Sequence, residues 1–147
     1  MLQKISTIDD WIKEIIKDDP VRKEIPIEER INQHSEIYAL WSDKSLGAVT
    51  CVNYCQGIPA NVTEMQMTRS DFADTVVFYT IWSYEKGCGR DLIIKATEAI
   101  KNYIPTIKNV VTLSPKTEMA RKFHIRNGAW KYRENQQSIN YAYQLEK

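Results

Sequence analysis

The sequence predicts an α/β (α+β) protein in which a mixed central sheet of six to seven strands is flanked by about four helices. A continuous run of apolar, β-branched and aromatic residues, Thr75–Trp82, is typical of a central strand buried on both faces. Two glycines follow this run, and the apolar residues after them recur at helical spacing until Pro105 ends the pattern. The predicted elements follow the order β-α-α-β-β-β-α-β-α-β-β, which indicates one sheet with helices on its faces.

The chain begins with a short edge strand, predicted at Met1–Ser6, and two helices. An apolar stripe at helical spacing predicts the first helix over Ile8–Lys17, and Asp18-Asp19-Pro20 ends it. Pro26–Ile31 has proline at its first position and predicts a second, short helix.

The remaining elements follow from turn residues and from the period of the apolar positions. They are, in order, strands at Ile37–Trp41 and Gly47–Cys55, an irregular or weakly helical stretch at Asn61–Asp74, the strand Thr75–Trp82, a helix ending near Tyr103, a strand at Asn109–Leu113, a helix from about Lys116 to Arg126, and a hairpin of Ala129–Glu134 and Ser138–Leu145.

Length and composition favour a single soluble domain over residues 1–147. The net charge of +1 gives no field that would attract nucleic acid or an anionic membrane, and no apolar run is long enough to span a bilayer. The sequence after Met1 is charged, so no secretory signal is expected, and the three cysteines are expected to be reduced in the cytoplasm. No spacing of Cys and His predicts a metal site.

The turn between the buried strand and the long helix is the strongest candidate for a binding site. Gly87 and Gly89 lie one residue apart at the helix start, where free backbone N–H groups suit a phosphate. Lys86 and Arg90 add positive charge on either side. A side chain at either glycine is expected to block the approach of a phosphate. The alternative is a strand-to-helix turn that uses glycine only for its backbone freedom.

This element order, with Tyr84-Glu85-Lys86-Gly87-Cys88-Gly89 after the fourth strand, resembles the GNAT acyltransferases. In that family the amides of the glycine motif bind the pyrophosphate of coenzyme A, although its first position is Gln or Arg where this chain has Tyr84. The resemblance implies that the segment Trp82–Arg90 binds the cofactor. It also implies that a backbone N–H near Thr80, Ile81 or Trp82 polarises the thioester carbonyl.

A second GNAT signature lies on the helix after the fifth strand and matches Thr117–Ala129. Phe123 belongs to this signature, and His124 stands where the family often has a tyrosine that protonates the departing CoA thiolate. The resemblance therefore implies that His124 is a general acid, with an ordinary pKa near 6.5. The alternative is a histidine on a helix face that hydrogen-bonds to a neighbour.

Several further segments resemble the catalytic domain of malonyl-CoA decarboxylase, which is itself GNAT-like. They are Phe78–Ile81, Leu92–Lys95, Pro105–Lys108, Thr112–Pro115, Phe123–Ala129 and Asn140–Tyr143. Ser114 matches the catalytic serine of that family. The family's helical domain has no counterpart before this region, and its catalytic histidine follows the position where this sequence ends, so the resemblance does not imply decarboxylation.

The resemblances imply transfer of a short acyl group from acetyl-CoA or malonyl-CoA to an amine or other small nucleophile that the sequence does not identify. A malonyl-CoA decarboxylase and a CoA-binding module without catalysis are the alternatives, and a homodimer is left open. No carboxylate lies within Thr75–Trp82 to act as a base; Glu64, Asp71 and Glu134 can do so only if loops bring them in.

Two of the candidate residues have structural alternatives. Ser114 precedes a proline at a helix start, where its hydroxyl is expected to cap the helix if it is not catalytic. Cys88 lies at a helix N-terminus that can lower the pKa of a thiol, or it occupies a variable position of the loop.

Overall fold

A computed structural model describes residues 1–144. Within them the chain forms seven strands and four α-helices, which confirms the predicted α/β architecture. The elements are β1 (Leu2–Ile5), α1 (Asp10–Ile16), β2 (Ser35–Ser42), β3 (Ser45–Cys55), α2 (Val62–Met67), β4 (Thr75–Ser83), α3 (Cys88–Tyr103), β5 (Asn109–Thr112), α4 (Glu118–Arg126), β6 (Trp130–Glu134) and β7 (Ile139–Tyr143).

One segment differs from its prediction. Pro26–Ile31 forms only a 3-10 turn at Ile27–Glu29, and the buried Arg30 follows it at once. Asn61–Asp74, predicted to be irregular or weakly helical, contains the six-residue helix α2, whose first turn is fixed by the Asn61 side chain accepting from Glu64 N at 2.8 Å. The predicted end of the last strand, Leu145, lies outside the described residues.

The strands form one mixed sheet in the order β1-β2-β3-β4-β5-β7-β6, in which only β4 and β5 run parallel. One face packs against α1, the segment that follows it and α2, and the other packs against α3 through Leu92, Ala96 and Ile100. Among the described residues, no helix combines the length and the apolar character that crossing a membrane requires.

The sheet opens in its middle, beside β4. β4 pairs with β5 only from Thr75 to Phe78, whereas β4 itself continues to Ser83. On the opposite edge the register with β3 shifts, so that Cys51 faces Thr80 and Val52 faces Phe78, which leaves Tyr79 as the extra residue of a β-bulge. A bulge bends a strand and increases its local twist, so β4 diverges from β5 and a cleft forms between them.

Candidate functional site

A cavity of about 350 Å³ lies where β4 and β5 diverge. Residues from the segment after α1 form one wall of the cavity, namely Pro20 and Val21. Residues from two helices form the other wall, namely Gly89 of α3 and Phe123 of α4. Seven of the residues predicted for the site line this one cavity: Thr80, Ile81, Trp82, Gly89, Ser114, Phe123 and His124.

The glycine turn lies at the end of this cavity that Ser83 and Gly89 line. Gly87 caps α3 with φ +86°, in the left-handed region that favours glycine, and a Cβ added there would meet no atom within 4 Å. The backbone N–H groups of Lys86, Gly87, Gly89 and Arg90 make no hydrogen bond to any of residues 1–144. Four open amides at the N-terminus of a 16-residue helix are suited to binding an anion.

Two cationic side chains lie at the turn, between the carboxylates of Glu85 and Asp91. The side chains of Lys86 and Arg90 are exposed, and neither forms an ion pair within the described part of the chain. Both can therefore reach a bound phosphate without first breaking another contact.

The turn is held in place by Gly47 of β3, a residue that the sequence did not single out. Gly47 O accepts hydrogen bonds from Tyr84 N at 2.7 Å and from Glu85 N at 3.2 Å. A Cβ on Gly47 would lie 2.6 Å from Cys88 Sγ, so only glycine permits this approach. The pKa of Cys88 is raised by burial and by the nearby Glu85 carboxylate, so the hypothesis of a lowered thiol pKa is wrong.

Gly89 serves a different purpose from Gly87. A Cβ on Gly89 would lie 3.2 Å from two ring atoms of Phe123, so Gly89 allows α3 and α4 to approach each other. The expectation that a side chain at Gly89 blocks a phosphate directly is therefore wrong, because it would collide with Phe123 first.

Tyr84 does not present a free group to the turn. Its hydroxyl donates to Asp18 Oδ2 at 2.6 Å and accepts from Trp82 Nε1 at 3.0 Å, while its N–H is bonded to Gly47. The first residue of the glycine motif thus ties the segment after α1 to the end of β4, and it is not one of the open amides.

His124 lies in the cavity wall but in an apolar setting. Its ring stacks on Tyr141 and meets the edges of Phe123 and Tyr143, and its Nδ1 lies 2.7 Å from Tyr143 Oη. Burial lowers its pKa from 6.5 to about 4, because a charged imidazole would lose its hydration among these rings. The expected pKa near 6.5 is therefore wrong, and His124 is neutral at neutral pH.

Ser114 is buried at the end of β5 and also faces the cavity. Its Oγ donates to Thr112 Oγ1 at 2.7 Å, and its backbone pairs with Ile139. The helix cap is Thr117, whose side chain accepts from Ala120 N at 3.2 Å. The hypothesis that Ser114 caps α4 is wrong, because the helix begins later than the Ser-Pro pair suggests.

No aspartate or glutamate of the described chain lines the cavity. Of the three carboxylates considered as bases, Asp71 pairs with His34 at 2.7 Å and Glu134 lies within 3.3 Å of the Lys116 and Lys131 ammonium groups. Glu64 lies on α2, in the first turn next to its cap. The described residues thus supply no carboxylate base at the cleft.

A buried ionic network supports the cavity, and no local sequence pattern predicts it. Asp19 and Arg30 have no exposed surface and form an ion pair at 2.7 Å. Asp19 Oδ1 also accepts from Val21 N, Arg22 N and Thr80 Oγ1. Burial alone would raise the pKa of Asp19. The hydrogen bonds from Arg30, from Thr80 and from the two backbone N–H groups hold this pKa below its usual value. From the sequence, Asp19 is predicted only to take part in ending the first helix.

No protein-family model matches the sequence, and no curated protein is significantly similar to it. Solved structures do match. A malonyl-CoA decarboxylase from Agrobacterium vitis is 28% identical with a TM-score of 0.68, over 87% of this chain and 36% of that protein. A malonyl-CoA decarboxylase from Rhodopseudomonas palustris gives 18% identity and a TM-score of 0.77, over 99% of this chain and 60% of that protein.

A third solved structure matches over nearly the whole length of both chains. The N-acetyltransferase PseH of Campylobacter jejuni, solved with acetyl coenzyme A, aligns over 99% of both chains with 13% identity and a TM-score of 0.65. The chain has the GNAT fold. The predicted resemblance to GNAT acyltransferases and to malonyl-CoA decarboxylases is confirmed at the level of structure, while this GNAT chain spans only about a third to three fifths of the two decarboxylases.

Proposed function

We propose that this GNAT-fold protein binds a short acyl-CoA and transfers its acyl group to an amine or another small nucleophile. The observation that carries the proposal is the alignment of four open amides, those of Lys86, Gly87, Gly89 and Arg90, with a cavity that follows the unpaired edge of β4. The open amides suit a pyrophosphate, and the cavity suits an extended arm that ends in a thioester. The bound acetyl coenzyme A in the Campylobacter jejuni relative supports this assignment.

The position of the turn gives the bound molecule a direction. The pyrophosphate lies at Gly87, beyond the end of β4, and the pantetheine arm runs inward beside Tyr79–Ser83, where the backbone groups facing β5 have no strand partner. The thioester then reaches Ser114 and His124 at the inner part of the cavity. The acceptor enters from the side of Pro20 and Val21, away from the helix that holds the phosphates.

The transfer step has a simple balance. The nucleophile forms a bond to the thioester carbon, the C–S bond breaks, and the thiolate leaves with the electron pair. A neutral His124 can donate a hydrogen bond to this sulfur from Nε2 when Tyr143 donates to Nδ1. Since a neutral imidazole is a very weak acid, the proton that finally reaches the sulfur comes from the nucleophile through water. His124 therefore acts as a hydrogen-bond donor to the developing charge.

Malonyl-CoA decarboxylation is the second candidate, and the absence of a carboxylate base from the described lining favours it. In this reaction the C–C bond to the carboxylate breaks, CO2 leaves, and the electron pair forms a thioester enolate. The enolate carbon then takes a proton from water, so no base is required. The hydroxyl of Ser114 is the side chain that can donate to the enolate oxygen, once it rotates away from Thr112.

One assay separates these reactions. The protein is titrated by calorimetry with acetyl-CoA and with malonyl-CoA. Each thioester is then incubated with the protein, in the presence and in the absence of a panel of amines. Free CoA that appears only with an amine supports transfer, whereas acetyl-CoA formed from malonyl-CoA alone supports decarboxylation. Binding without turnover supports a CoA-binding module, and no binding at millimolar concentration refutes the proposal as a whole.

Variants assign the residues. Replacing His124 with phenylalanine keeps a ring and removes the hydrogen-bond donor, and loss of one such donor lowers kcat by about 10²–10³-fold. Tyr143→Phe leaves the imidazole in place but removes its Nδ1 partner, so a smaller loss is expected. Acyl-CoA affinity should change little in either variant, because both residues are remote from the phosphate turn. A fully active His124→Phe protein would overturn this role.

A further inference from the structure

Arg22 occupies the point at which the two central strands separate. Its Nε donates to Tyr79 O at 3.2 Å and its Nη2 donates to Leu113 O. Phe78 and Thr112 form the last pair between β4 and β5, and Tyr79 and Leu113 are the residues that directly follow them. The guanidinium thus fills the gap that the bulge opens, and it gives hydrogen-bond partners to two carbonyl groups that the sheet leaves without them.

The segment that carries Arg22 has no freedom to move aside. Asp19 accepts the N–H groups of Val21 and Arg22, and Arg30 Nη2 donates to Arg22 O. Burial lowers the pKa of the Arg22 guanidinium, while the carboxylates of Glu24 and Asp19 oppose that effect. A desolvated guanidinium with two carbonyl partners is fixed in position, because leaving the site would leave those partners unsatisfied.

The bridge lies at the inner end of the proposed acyl-CoA path. The turn at Gly87 is beyond the C-terminal end of β4, and the cavity follows that strand back as far as Phe78 and Tyr79. An acyl group carried by an arm that enters from the turn therefore points at Tyr79 and Ser114, which line that end of the cavity. Arg22 and Leu113 are not lining residues; the Arg22 guanidinium bonds the backbone of Tyr79 and of Leu113, the residue before Ser114, and so closes the space between the strands behind the lining.

We infer that Arg22 is a specificity-determining residue that limits the length of the acyl group. It seals the gap between β4 and β5 behind Tyr79 and Ser114, so a two-carbon acyl group fits and a longer unbranched chain finds no space beyond these residues. This inference rests on the proposed binding of acyl-CoA. A methylene that does not fit a pocket discriminates by about 10-fold or more, so hexanoyl-CoA should bind at least about tenfold more weakly than acetyl-CoA.

The test compares acetyl-, butyryl- and hexanoyl-CoA by calorimetry on the full chain and on Arg22→Ala. The expected result is that Arg22→Ala retains acetyl-CoA binding and removes most of the preference against hexanoyl-CoA. Lys23→Ala is the matched control, because Lys23 is exposed and makes no hydrogen bond or ion pair by its side chain within residues 1–144. If Arg22→Ala does not fold, Arg22→Gln is used, which is shorter and can donate to only one carbonyl at a time.

The outcomes separate this inference from the proposed function. Absence of acetyl-CoA binding by the unaltered protein would refute the proposed function. Equal affinity of the unaltered protein for all three thioesters, or a loss in Arg22→Ala that is the same for every chain length, would overturn the role of Arg22 alone. A crystal structure of Arg22→Ala gives an answer without any ligand: a cavity extended past Tyr79 supports the inference, and an unchanged inner end contradicts it.

Discussion

Thr80 Oγ1 donates a hydrogen bond of 2.7 Å to Asp19 Oδ1, and this contact joins the bulged strand of the sheet to the segment after α1. Asp19 in turn neutralises Arg30, which is fully buried. The two walls of the cavity, Thr80 on β4 and Val21 on the loop, are therefore fixed to the same carboxylate.

The Asp19–Arg30 pair predicts a large loss of stability on substitution. Asp19→Ala leaves a buried guanidinium without its carboxylate, which costs about 3–5 kcal/mol of unfolding free energy. Asp18→Ala is the control: Asp18 is exposed and contacts only the Tyr84 hydroxyl by its side chain among the described residues, so a cost of about 1 kcal/mol or less is expected. Urea unfolding measures both, and similar costs for the two variants would contradict the prediction.

His124 predicts an acid destabilisation. The pKa in the folded protein is about 4 against an ordinary 6.5, so between these values the unfolded chain binds a proton that the folded protein does not. Stability therefore falls as the pH is lowered from 6.5 to 4, by at most about 3 kcal/mol. Unfolding measured across this range should show a smaller pH dependence in His124→Phe. In His34→Gln, which removes the other histidine, the loss linked to His124 should persist.

The two glycines of the turn predict different failures. Gly87→Ala imposes a left-handed backbone on alanine, at about 1–2 kcal/mol, and directs a methyl group into open space where a phosphate would lie. Its CoA affinity should fall more than its stability explains. Gly57→Ala is matched, because Gly57 has φ +79° and an equally open Cβ position but follows the Cys55 end of β3, whereas the glycine turn is bonded to Gly47 near the other end. Calorimetry should find unchanged CoA affinity in that variant.

Gly89→Ala should act through packing instead. The added methyl group meets the Phe123 ring at 3.2 Å, so α3 and α4 must separate slightly and the melting temperature falls. Phe123→Leu in the same chain removes the ring and should restore part of the loss. If the double variant is no more stable than expected from adding the two single effects, the contact is not the cause.

The cap of α4 can be assigned by substitution. Thr117→Ala removes the acceptor of Ala120 N and should cost about 1 kcal/mol, while Thr117→Ser keeps it. Ser114→Ala should cost less, because Thr112 Oγ1 still accepts from Tyr141 N at 3.1 Å when the serine hydroxyl is gone. Thermal unfolding measures both losses of stability. A larger loss in Ser114→Ala than in Thr117→Ala would show that Ser114 caps the helix.

The sequence was sufficient for features that depend on neighbouring residues. β4, Gly87 and α3 were predicted because a buried strand, a left-handed turn and an amphipathic helix each have a local pattern. The supports of the site were not predicted, since they join distant parts of the chain: Thr80 lies 61 residues from Asp19, and Leu113 lies 91 residues from Arg22. A charged residue that will be buried carries the same local pattern as one in solvent.

His124 shows the same limit on the chemical side. Its place in the helix could be read from the neighbouring residues, but its pKa depends on Tyr141 and Tyr143, which reach it only when β7 enters the sheet. The identity of a titratable residue is thus a local property, whereas its proton affinity belongs to the folded environment.

The hold of Gly47 on the glycine turn has a consequence for hydrogen exchange. The amide protons of Tyr84 and Glu85 are bonded to Gly47 O and should exchange with solvent deuterium slowly, at rates set by larger openings of the sheet. The next amides, at Lys86 and Gly87, are unbonded and should exchange fast. A ligand that occupies the turn would slow only the second pair, so the boundary between Glu85 and Lys86 reports, residue by residue, whether the site is filled.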